Sequence, residues 1–329
     1  MKYIVTGGGG FIGSHLSEKL VKLGHKVTVI DNFSVGRRDN LKNIKKKIKI
    51  INADIRNKHK ISKYFKNIDG VFHLAALADI VPSIENPDLY LSTNVNGTFN
   101  VLSSSLENKV KRFIYVASSS SYGIPKVYPT PENSPIDAEY PYALTKRMGE
   151  EITLHFAKVF KLNATSLRFF NVYGPRARTS GTYGAMFGVF LAQKIAGKPF
   201  TVVGDGNQSR DFTYVSDVVD ALIVTAKKKN ISGDYFNVGS GKTVSVNKVI
   251  KLLKGKFVKI PKRPGEPDIT YANISKIKNK IGWEPKVPIQ VGVNLLLEDI
   301  KSWKNSPVWT PKGIKKATKK WFFYLNKKK

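Results

Sequence analysis

Three absences narrow what this chain can be. The sequence contains no cysteine, which excludes disulfides, thiolate metal sites and a cysteine nucleophile. It contains no apolar run of the roughly 20 residues that a helix needs to cross a bilayer. Residues 1–6 enter a strand pattern with no secretory signal before them. We therefore expect a cytoplasmic protein with no integral membrane segment, and we predict no metal site.

Acidic residues are also scarce. The chain has 24 aspartates and glutamates against 55 lysines and arginines, a formal net charge of +31. Such a charge invites a nucleic-acid or membrane-surface interpretation. However, only ten of the basic residues are arginine. Nucleic-acid-binding proteins rely on arginine because its guanidinium makes paired hydrogen bonds to bases and phosphates. The lysines are scattered along the chain, so we attribute the positive charge to a drift in overall amino-acid composition rather than to a dedicated site for a polyanion. We expect no nucleic-acid partner.

The length and the apolar pattern indicate a globular α/β protein. With 329 residues, of which 41% are hydrophobic, the chain can form two domains around well-developed cores. In its first half, short apolar runs alternate with longer helical patterns, which indicates βαβ units and a parallel sheet. The predicted strands are 2–6, 26–30, 48–52, 70–74, 112–117 and 163–168. The predicted helices are 11–23, 58–65, 89–106 and 142–160.

The strict alternation is lost after residue 170. Helical patterns at 185–195 and 215–228 then mix with short strands and a Pro/Gly-rich loop at 261–267. We predict a Rossmann-type doubly wound parallel sheet in residues 1–170 and a smaller mixed α/β domain, which would bind the substrate, in residues 171–329. A strand at 234–239 is expected to return to the first domain. The second domain should pack at the carboxyl edge of the sheet, where open α/β folds bind ligands.

A glycine-rich turn follows the first predicted strand. Gly7, Gly10 and Gly13, with Phe11 and Ile12 between the last two, end a strand and open a helix. Glycine permits the tight turn, the close approach of backbone to a pyrophosphate, and the contact of helix with strand. The helix N-terminus then offers unpaired N–H groups to phosphates. The sequence therefore predicts a dinucleotide site at this turn.

Acidic residues close the next two predicted strands. Asp31 lies about 18 residues after the last glycine of the turn. A carboxylate there can bind ribose hydroxyls and repels a 2′-phosphate, which favours NAD over NADP. Arg37 and Arg38 could accept a 2′-phosphate, but they lie well past the strand end, and we interpret them as part of a solvated loop. The further cofactor candidates at these strand ends are Asn32, Asp54 and Ile55.

A tyrosine and a lysine lie one helical turn apart. Tyr142 and Lys146 share one face of the predicted helix at 142–160. An ammonium near a phenol favours the phenolate, so we expect Lys146 to lower the pKa of Tyr142 from its usual value of about 10. This would supply a base at neutral pH. The spacing alone is common, but here it follows the glycine turn by about 130 residues and a serine cluster by about 25.

These features together resemble the extended short-chain dehydrogenase/reductase family, and within it the UDP-hexose 4-epimerases. Beyond the glycine turn and the Tyr/Lys pair, the resemblance rests on HLAA at 73–76, NVNGT at 94–98, VASSSSYG at 116–123, RFFNVYGP at 168–175, RDFTYV at 210–215 and RPGE at 263–266. It covers nearly the whole chain. It implies an NAD-dependent enzyme that epimerises a UDP-hexose at C4 through a transient 4-keto intermediate.

The resemblance also implies roles for individual residues. Tyr142 would be the base, Lys146 would bind the nicotinamide ribose, and Ser118, with Ser119 assisting, would bond the sugar O4 and relay a proton. The residues implied for the diphosphate or sugar are Asn171, Arg210 and Arg263, where an arginine fork suits phosphate oxygens. The remaining candidates are Ala75 and Asn94 near the cofactor, and Ser83 near the sugar. We interpret His73 as a packed histidine rather than a catalyst.

Positions 119 and 120 discriminate between chemistries of this family. The 4,6-dehydratases carry Asp-Glu directly after the catalytic Thr, and the UDP-glucuronate decarboxylases usually carry Glu at the position of Ser120. Here both positions are serine, whose hydroxyl cannot take the place of a carboxylic acid in these reactions. Epimerisation needs neither acid, so we favour a 4-epimerase.

Position 270 bears on the choice of hexose. By the resemblance, the residue seven positions after Arg263 walls the pocket near the sugar C2 group. That residue is Thr270, whose small side chain would admit the N-acetyl group of UDP-GlcNAc or UDP-GalNAc. A shift of one residue would place Tyr271 there and restrict the enzyme to UDP-Glc and UDP-Gal.

Other activities and an assembly also follow from the resemblance. A 4-ketosugar reductase, a UDP-glucuronate epimerase and a 4,6-dehydratase are alternatives on the same scaffold. A non-catalytic NAD-binding protein associated with nucleic acid or membrane is a further alternative. The family commonly dimerises through two helices, here 89–106 and 142–160. We expect the basic segment 312–329 to form a terminal helix whose aromatic face, at 321–325, packs on the body.

Overall fold

The computed structural model describes residues 1–177 and 186–326 of the chain. Its strands begin and end close to the predicted positions in the first half. In the described residues the strands are β1 (Lys2–Thr6), β2 (Lys26–Asp31), β3 (Ile48–Asn52), β4 (Gly70–His73), β5 (Arg112–Ser118), β6 (Ala164–Phe169), β7 (Val172–Tyr173), β8 (Phe200–Val203), β9 (Ser209–Arg210), β10 (Thr213–Tyr214), β11 (Tyr235–Val238), β12 (Val244–Ser245) and β13 (Phe257–Ile260).

Seven of these strands form one parallel sheet in the order β11-β6-β5-β4-β1-β2-β3. Every residue of β4 and β6 is buried. Burial on both faces is typical of a parallel sheet that helices cover on each side. The strand order reverses between β1 and β4, and doubly wound sheets bind ligands at the carboxyl edge of such a point. The predicted Rossmann-type α/β fold is therefore confirmed.

Helices connect and flank the strands. In the described residues they are α1 (Phe11–Lys22), α2 (Lys58–Ile61), α3 (Ile80–Glu85), α4 (Pro87–Leu91), α5 (Gly97–Glu107), α6 (Pro141–Val159), α7 (Met186–Ile195), α8 (Val215–Lys227), α9 (Val246–Leu253), α10 (Ser275–Ile281), α11 (Ile289–Glu298), α12 (Pro311–Ala317) and α13 (Lys319–Leu325). The predicted helix 89–106 corresponds to α4, a π-helical turn at Ser92–Asn96, and α5. The predicted helix 58–65 is α2 followed by a 3₁₀ turn. Residue 185 of the predicted helix 185–195 lies outside the described residues.

After β6 the chain leaves the sheet and later returns to it. Three small pairs, β10 with β7, β13 with β8 and β12 with β9, form outside the main sheet. The strand predicted at 234–239 is β11, which pairs in parallel with β6 and adds a seventh strand at the sheet edge. The division into two domains at residue 170 stays a prediction. None of the helices in the described ranges combines the length and the apolar character that crossing a membrane demands.

The helices predicted to mediate dimerisation carry exposed apolar side chains. Phe99 on α5 is 49% exposed, and Leu144 on α6 is 51% exposed. Leu89 and Leu91 on α4 are also exposed. Large apolar side chains clustered on a surface often mark an interface. The homodimer itself stays a prediction.

A buried ion pair fastens α6 to the sheet. The side chains of Arg168 on β6 and Glu150 on α6 are almost wholly buried, and Arg168 Nη2 lies 2.6 Å from Glu150 Oε1. The second carboxylate oxygen of Glu150 accepts a hydrogen bond from Ser166 Oγ at 2.8 Å. Arg168 Nη1 also donates to the hydroxyl of Tyr122 at 2.7 Å. Because each charge has several partners, both remain satisfied inside the protein.

Replacing Glu150 by leucine should therefore destabilise the protein strongly. The change leaves the Arg168 guanidinium buried without its counter-charge, which typically costs about 3–5 kcal/mol. Lys111→Ala is the control, since it removes the exposed Lys111–Asp69 pair and should cost below about 1 kcal/mol. Urea unfolding followed by circular dichroism measures both. Equal losses in the two variants would contradict the role given to the buried pair.

Candidate active site

A cleft of about 930 Å³ runs along the carboxyl edge of the sheet. Residues just beyond β1, β2, β3, β4 and β6, and the last residue of β5, contribute to one side of it. Segments from the second half of the chain form the other side, among them Asn171, Arg210 and Arg263. The cleft therefore lies where the strand order predicts a ligand site.

The glycine turn at one end of the cleft has no room for side chains. Gly7 has a φ of +70°, and a Cβ placed on it would lie 2.7 Å from the backbone nitrogen of Ala75. A Cβ on Gly13 would lie 2.2 Å from the carbonyl oxygen of Gly7. Gly10 then precedes α1, which begins at Phe11, so the helix N–H groups face the cleft with no side-chain cap. This cradle of bare backbone suits a pyrophosphate.

Asp31 closes β2 beside the glycine turn. Its carboxylate accepts hydrogen bonds from the backbone N–H of Gly9 at 2.8 Å and of Phe33 at 2.7 Å. Burial nevertheless raises the pKa of this carboxyl above its usual range. Arg38 stacks over the ring of Phe33, 4.2 Å from its centroid, whereas Arg37 is exposed and lines the cleft. Both arginines are exposed, as expected for a solvated loop, and this loop borders the cleft at Arg37.

The third strand contributes a charged pair to the same end. Asp54 accepts hydrogen bonds from the backbone N–H, Nε and Nη2 of Arg56, and one from Asn32 Nδ2 at 3.0 Å. The Arg56 hydrogen bond lowers the pKa of Asp54 to about 2. Asn32, Asp54 and Ile55 all line the cleft, as predicted for cofactor residues. The donor set fits a dinucleotide, because it combines bare backbone for phosphates with carboxylates for ribose hydroxyls.

Three hydroxyl groups converge in the middle of the cleft. Ser118 Oγ at the end of β5 lies 2.8 Å from Ser120 Oγ, and both serines hydrogen-bond the side chain of Tyr142. The tyrosine stands in the first turn of α6. Ser118, Ser119 and Tyr142 were predicted to lie together. Ser120 was considered only as a missing acid, and no local signal showed that its hydroxyl would turn toward the tyrosine.

The predicted lowering of the Tyr142 pKa is wrong for this structure. Burial raises the pKa of Tyr142, the charge of Asp79 raises it further, and the two serine hydrogen bonds oppose these effects only in part. Lys146 does line the cleft, but its ammonium donates to the carbonyl oxygen of Val116 and lies 4.4 Å from the ring centroid of Tyr115. Burial also lowers the pKa of Lys146 to about 7. The lysine is therefore held against β5 rather than paired with the phenol.

Polar side chains at the other end of the cleft hold one another in place. Asn171 Nδ2 donates to Thr270 Oγ1 at 2.7 Å, and the same oxygen accepts the backbone N–H of Asp211 at 3.1 Å. Arg210 Nη1 donates to the carbonyl oxygen of Ser209 at 2.9 Å. Burial lowers the pKa of Arg210, and the charge of nearby Arg263 acts in the same direction. Two guanidinium groups thus stand close together in one part of the cleft.

Two predicted site residues are not brought to the cleft. Asn94 is 1% exposed, and its amide bonds the backbone of Leu77 at 2.8 and 3.0 Å and Thr145 Oγ1 at 3.0 Å. Ser83 is fully buried and donates to the carbonyl oxygen of Ile80 at 2.6 Å. Both therefore support the segments around the cleft instead of lining it. All the other predicted site residues line it.

His73 is a packed histidine, as we interpreted it. Its ring nitrogens lie 2.6 Å from Thr6 Oγ1 and 2.9 Å from Thr98 Oγ1. Burial lowers its pKa to about 3, so the ring is neutral at physiological pH. It ties β1 and β4 to α5.

Sequence reasoning missed several aromatic residues of the cleft, of which Tyr140 and Trp321 lie near the reactive hydroxyls. Tyr140 precedes α6, and its ring stacks parallel to that of Tyr142 with 6.4 Å between centroids. Trp321, on α13 near the end of the chain, also lines the cleft. The sequence placed 321–325 in an aromatic helix face but gave no signal of where that face would pack. Of that run, Trp321 is buried, whereas Phe323 and Tyr324 are exposed.

Comparison with known proteins identifies the family to which this chain belongs. The model of the NAD dependent epimerase/dehydratase family matches residues 3–239. The chain belongs to this family. Its cofactor is NAD, for which the glycine cradle and the carboxylates are suited. The resemblance found in the sequence is thereby confirmed at the level of the family.

Individual members of the NAD dependent epimerase/dehydratase family match almost end to end. A putative UDP-glucose 4-epimerase of Methanocaldococcus jannaschii is 34% identical over 307 residues, 91% of this chain and 98% of that protein. The UDP-glucose 4-epimerase of Thermotoga maritima, solved with UDP-glucose, superposes with a TM-score of 0.86 at 34% identity, covering 92% of this chain and 99% of that one. The UDP-N-acetylglucosamine 4-epimerase of Methanobrevibacter ruminantium gives a TM-score of 0.85 at 31% identity, with coverage of 91% and 98%.

The glycine cradle predicts a sharp effect of a single methyl group. Gly7→Ala should lower NAD affinity at least tenfold, because its Cβ meets the backbone of Ala75 at 2.7 Å and pushes the turn away from the phosphates. Gly24→Ala is a matched control, since Gly24 has a similar φ of +78° but nothing within 4 Å of its Cβ. Calorimetric titration with NAD measures both. Equal affinities in the two variants would contradict the steric explanation.

Proposed function

We propose that this enzyme of the NAD dependent epimerase/dehydratase family is a UDP-sugar 4-epimerase. The observation that carries the proposal is the convergence of Ser118, Ser120 and Tyr142 hydroxyls between a glycine cradle and a pair of arginines, with no carboxylate at positions 119 and 120. Such a site can move a proton at one sugar hydroxyl. It has no acid at the two positions after Ser118 with which to carry out elimination or decarboxylation.

The proton is handled by Tyr142 and Ser118. Bound NAD supplies a hydride acceptor, and later a donor, for the sugar carbon. Tyr142 takes the O4 proton directly or through Ser118, whose hydroxyl can both donate and accept. Burial raises the pKa of Tyr142, so the phenol needs a positive charge beside it to become the phenolate that accepts the O4 proton, and the nicotinamide ring of bound NAD would supply that charge. Ser120, hydrogen-bonded to Ser118, keeps that hydroxyl oriented toward the phenol.

The arginines hold the part of the substrate that does not react. Arg210 and Arg263 line the same cleft, and the charge of Arg263 contributes to lowering the pKa of Arg210, after the larger effect of burial. Two guanidinium groups in one place suit a diphosphate, because each presents a fork of N–H donors. With the diphosphate held there, the oxidised sugar can turn and present its opposite face to the same reactive groups.

The serines favour an epimerase over other activities of related proteins. A UDP-N-acetyl-alpha-D-glucosaminuronate decarboxylase of Bacillus cytotoxicus is 33% identical over 330 residues, so overall similarity does not separate the chemistries. Ser119 and Ser120 support epimerisation, since a serine hydroxyl cannot replace the acidic side chain that the resemblance gives the dehydratases and decarboxylases at these positions.

Thr270 supports a substrate that carries an N-acetyl group at C2. Thr270 lines the cleft, whereas Tyr271 does not. The hydroxyl of Thr270 is held by Asn171 and by the backbone N–H of Asp211. The small, fixed side chain leaves space beside it, so we propose UDP-GlcNAc and UDP-GalNAc as substrates in addition to the plain hexoses.

Replacing Tyr142 by phenylalanine tests the proposed reaction. The variant keeps the ring but lacks the base, so kcat for 4-epimerisation should fall about 10²–10⁴-fold while bound NAD and thermal stability are unchanged. Tyr271→Phe is the control, because it removes a hydroxyl that does not face the cleft. Purified protein should be assayed with UDP-Glc, UDP-GlcNAc and UDP-GlcA. Full activity of Tyr142→Phe, or wild-type turnover only with added NAD(P)H, would overturn the proposal.

Replacing Thr270 by tyrosine tests the proposed choice of hexose. The bulky ring should fill the space for the N-acetyl group and lower kcat/KM for UDP-GlcNAc about 10–100-fold, with little change for UDP-Glc. A ratio of the two kcat/KM values measures this, and Tyr271→Phe again serves as the control. A parallel loss on both substrates would show that the residue supports the loop rather than the choice of sugar.

A further inference from the structure

We propose that Trp321, on the terminal helix α13, is a positioning residue that holds Arg263 and its loop in place for the diphosphate. The inference rests on the proposed function, because it assigns Arg263 to a UDP-sugar. The family model ends at residue 239, so this tryptophan lies outside the part of the chain that the model describes.

Trp321 makes two distinct contacts with the loop at 261–267. Its indole Nε1 donates to the carbonyl oxygen of Pro264 at 2.8 Å. Its ring faces the guanidinium of Arg263, with Cζ 5.3 Å from the ring centroid, a distance at which a cation is attracted to an indole. Glu266 holds the other side of the guanidinium, with Nη1 to Oε1 at 3.1 Å. Arg263 is thus gripped between an acidic side chain of its own loop and an aromatic ring from another element.

The same ring reaches toward the reactive centre. Trp321 lies 6.4 Å, centroid to centroid, from Tyr140, and the ring of Tyr140 stacks on that of Tyr142. The helix α13 also contacts α3, two residues of which (Ile80 and Pro82) line the cleft. The indole therefore lies between the loop of Arg263 and the stacked rings of Tyr140 and Tyr142.

The rest of α13 indicates that this contact is its main packing. Trp321 is 2% exposed, whereas Phe323 is 69% exposed and Tyr324 is 65% exposed. The preceding helix α12 packs on the body through Ile314, which is buried. Trp321 is the one large side chain that α13 buries, and it lies in the wall of the cleft. We therefore infer that α13 supports this wall.

Binding of UDP tests this inference without depending on turnover. Calorimetry should show that Trp321→Ala weakens UDP binding about tenfold, because the Arg263 guanidinium loses its stacking surface and its loop loses a tether. Trp321→Phe keeps a ring but loses the indole N–H, so it should weaken binding by a smaller factor. In turnover assays KM for the UDP-sugar should rise while kcat and bound NAD stay near wild type. Phe323→Ala, on the exposed side of the same helix, is the control and should change none of these.

A double-mutant cycle separates positioning from direct contact. If Trp321 acts through Arg263, the effects of Arg263→Ala and Trp321→Ala on UDP affinity should be far from additive. Additive effects would overturn the positioning role, as would unchanged UDP binding in both Trp321 variants. If wild-type protein does not bind UDP, the proposed function fails and this inference fails with it. If wild type binds UDP and the Trp321 variants bind it equally well, only this inference fails.

Discussion

The active site depends on one buried ion pair, between Arg168 and Glu150. Glu150 stands on α6 two turns after Tyr142, and Arg168 belongs to β6, the neighbour of the strand that ends in Ser118. The pair therefore fixes the rotation and height of α6 against the sheet. The hydroxyls of Tyr142 on α6 and Ser118 at the end of β5 can approach each other only if the position of α6 against the sheet is fixed. Charges buried this deeply are costly to separate, so the geometry has few competing arrangements.

The same guanidinium extends the constraint beyond α6. Arg168 Nη1 donates to the hydroxyl of Tyr122, which in turn donates to Asn237 Oδ1 on β11 at 2.8 Å. Arg168 Nη1 also donates to the carbonyl oxygen of Glu132 at 2.9 Å. The loop after β5, the last strand of the sheet and the segment before α6 are thus held through one side chain. Chemistry at the centre of the cleft is built on polar bonds inside the protein, not on apolar packing alone.

The two ends of the cleft bind by different physical means. At the glycine turn the chain offers bare backbone to the phosphates, since Gly7 and Gly13 leave no space for a side chain. At the other end it offers long cationic side chains, which need support from neighbours such as Glu266. Backbone is fixed by the fold and suits a cofactor that stays. Supported side chains suit a substrate that must enter, turn and leave.

The sequence was a good guide to backbone and a poorer one to side-chain partners. β1 begins and ends where predicted, because its buried residues form one continuous run that stops at the glycine turn. Asn94 was assigned to the cofactor, yet its amide bonds Leu77, 17 residues away, and Thr145, 51 residues away. Nothing local reveals such partners. Lys146 on α6 likewise donates to a carbonyl oxygen of β5. The spacing of Tyr142 and Lys146 along one helix cannot reveal such a partner.

The position of β11 has a consequence for how the protein is made. The strand Tyr235–Val238 completes the sheet beside β6, although about 65 residues separate the two in the chain. A ribosome adds residues in order, and a chain folds from its N-terminal part as it emerges. Until residue 238 has emerged, the backbone edge of β6 has no strand to pair with and Tyr122 has no Asn237. An unpaired edge invites pairing with other chains. Between the emergence of β6 and that of β11, therefore, one edge of the sheet is open to pairing with other chains, and this interval ends only after about 65 further residues have been synthesised.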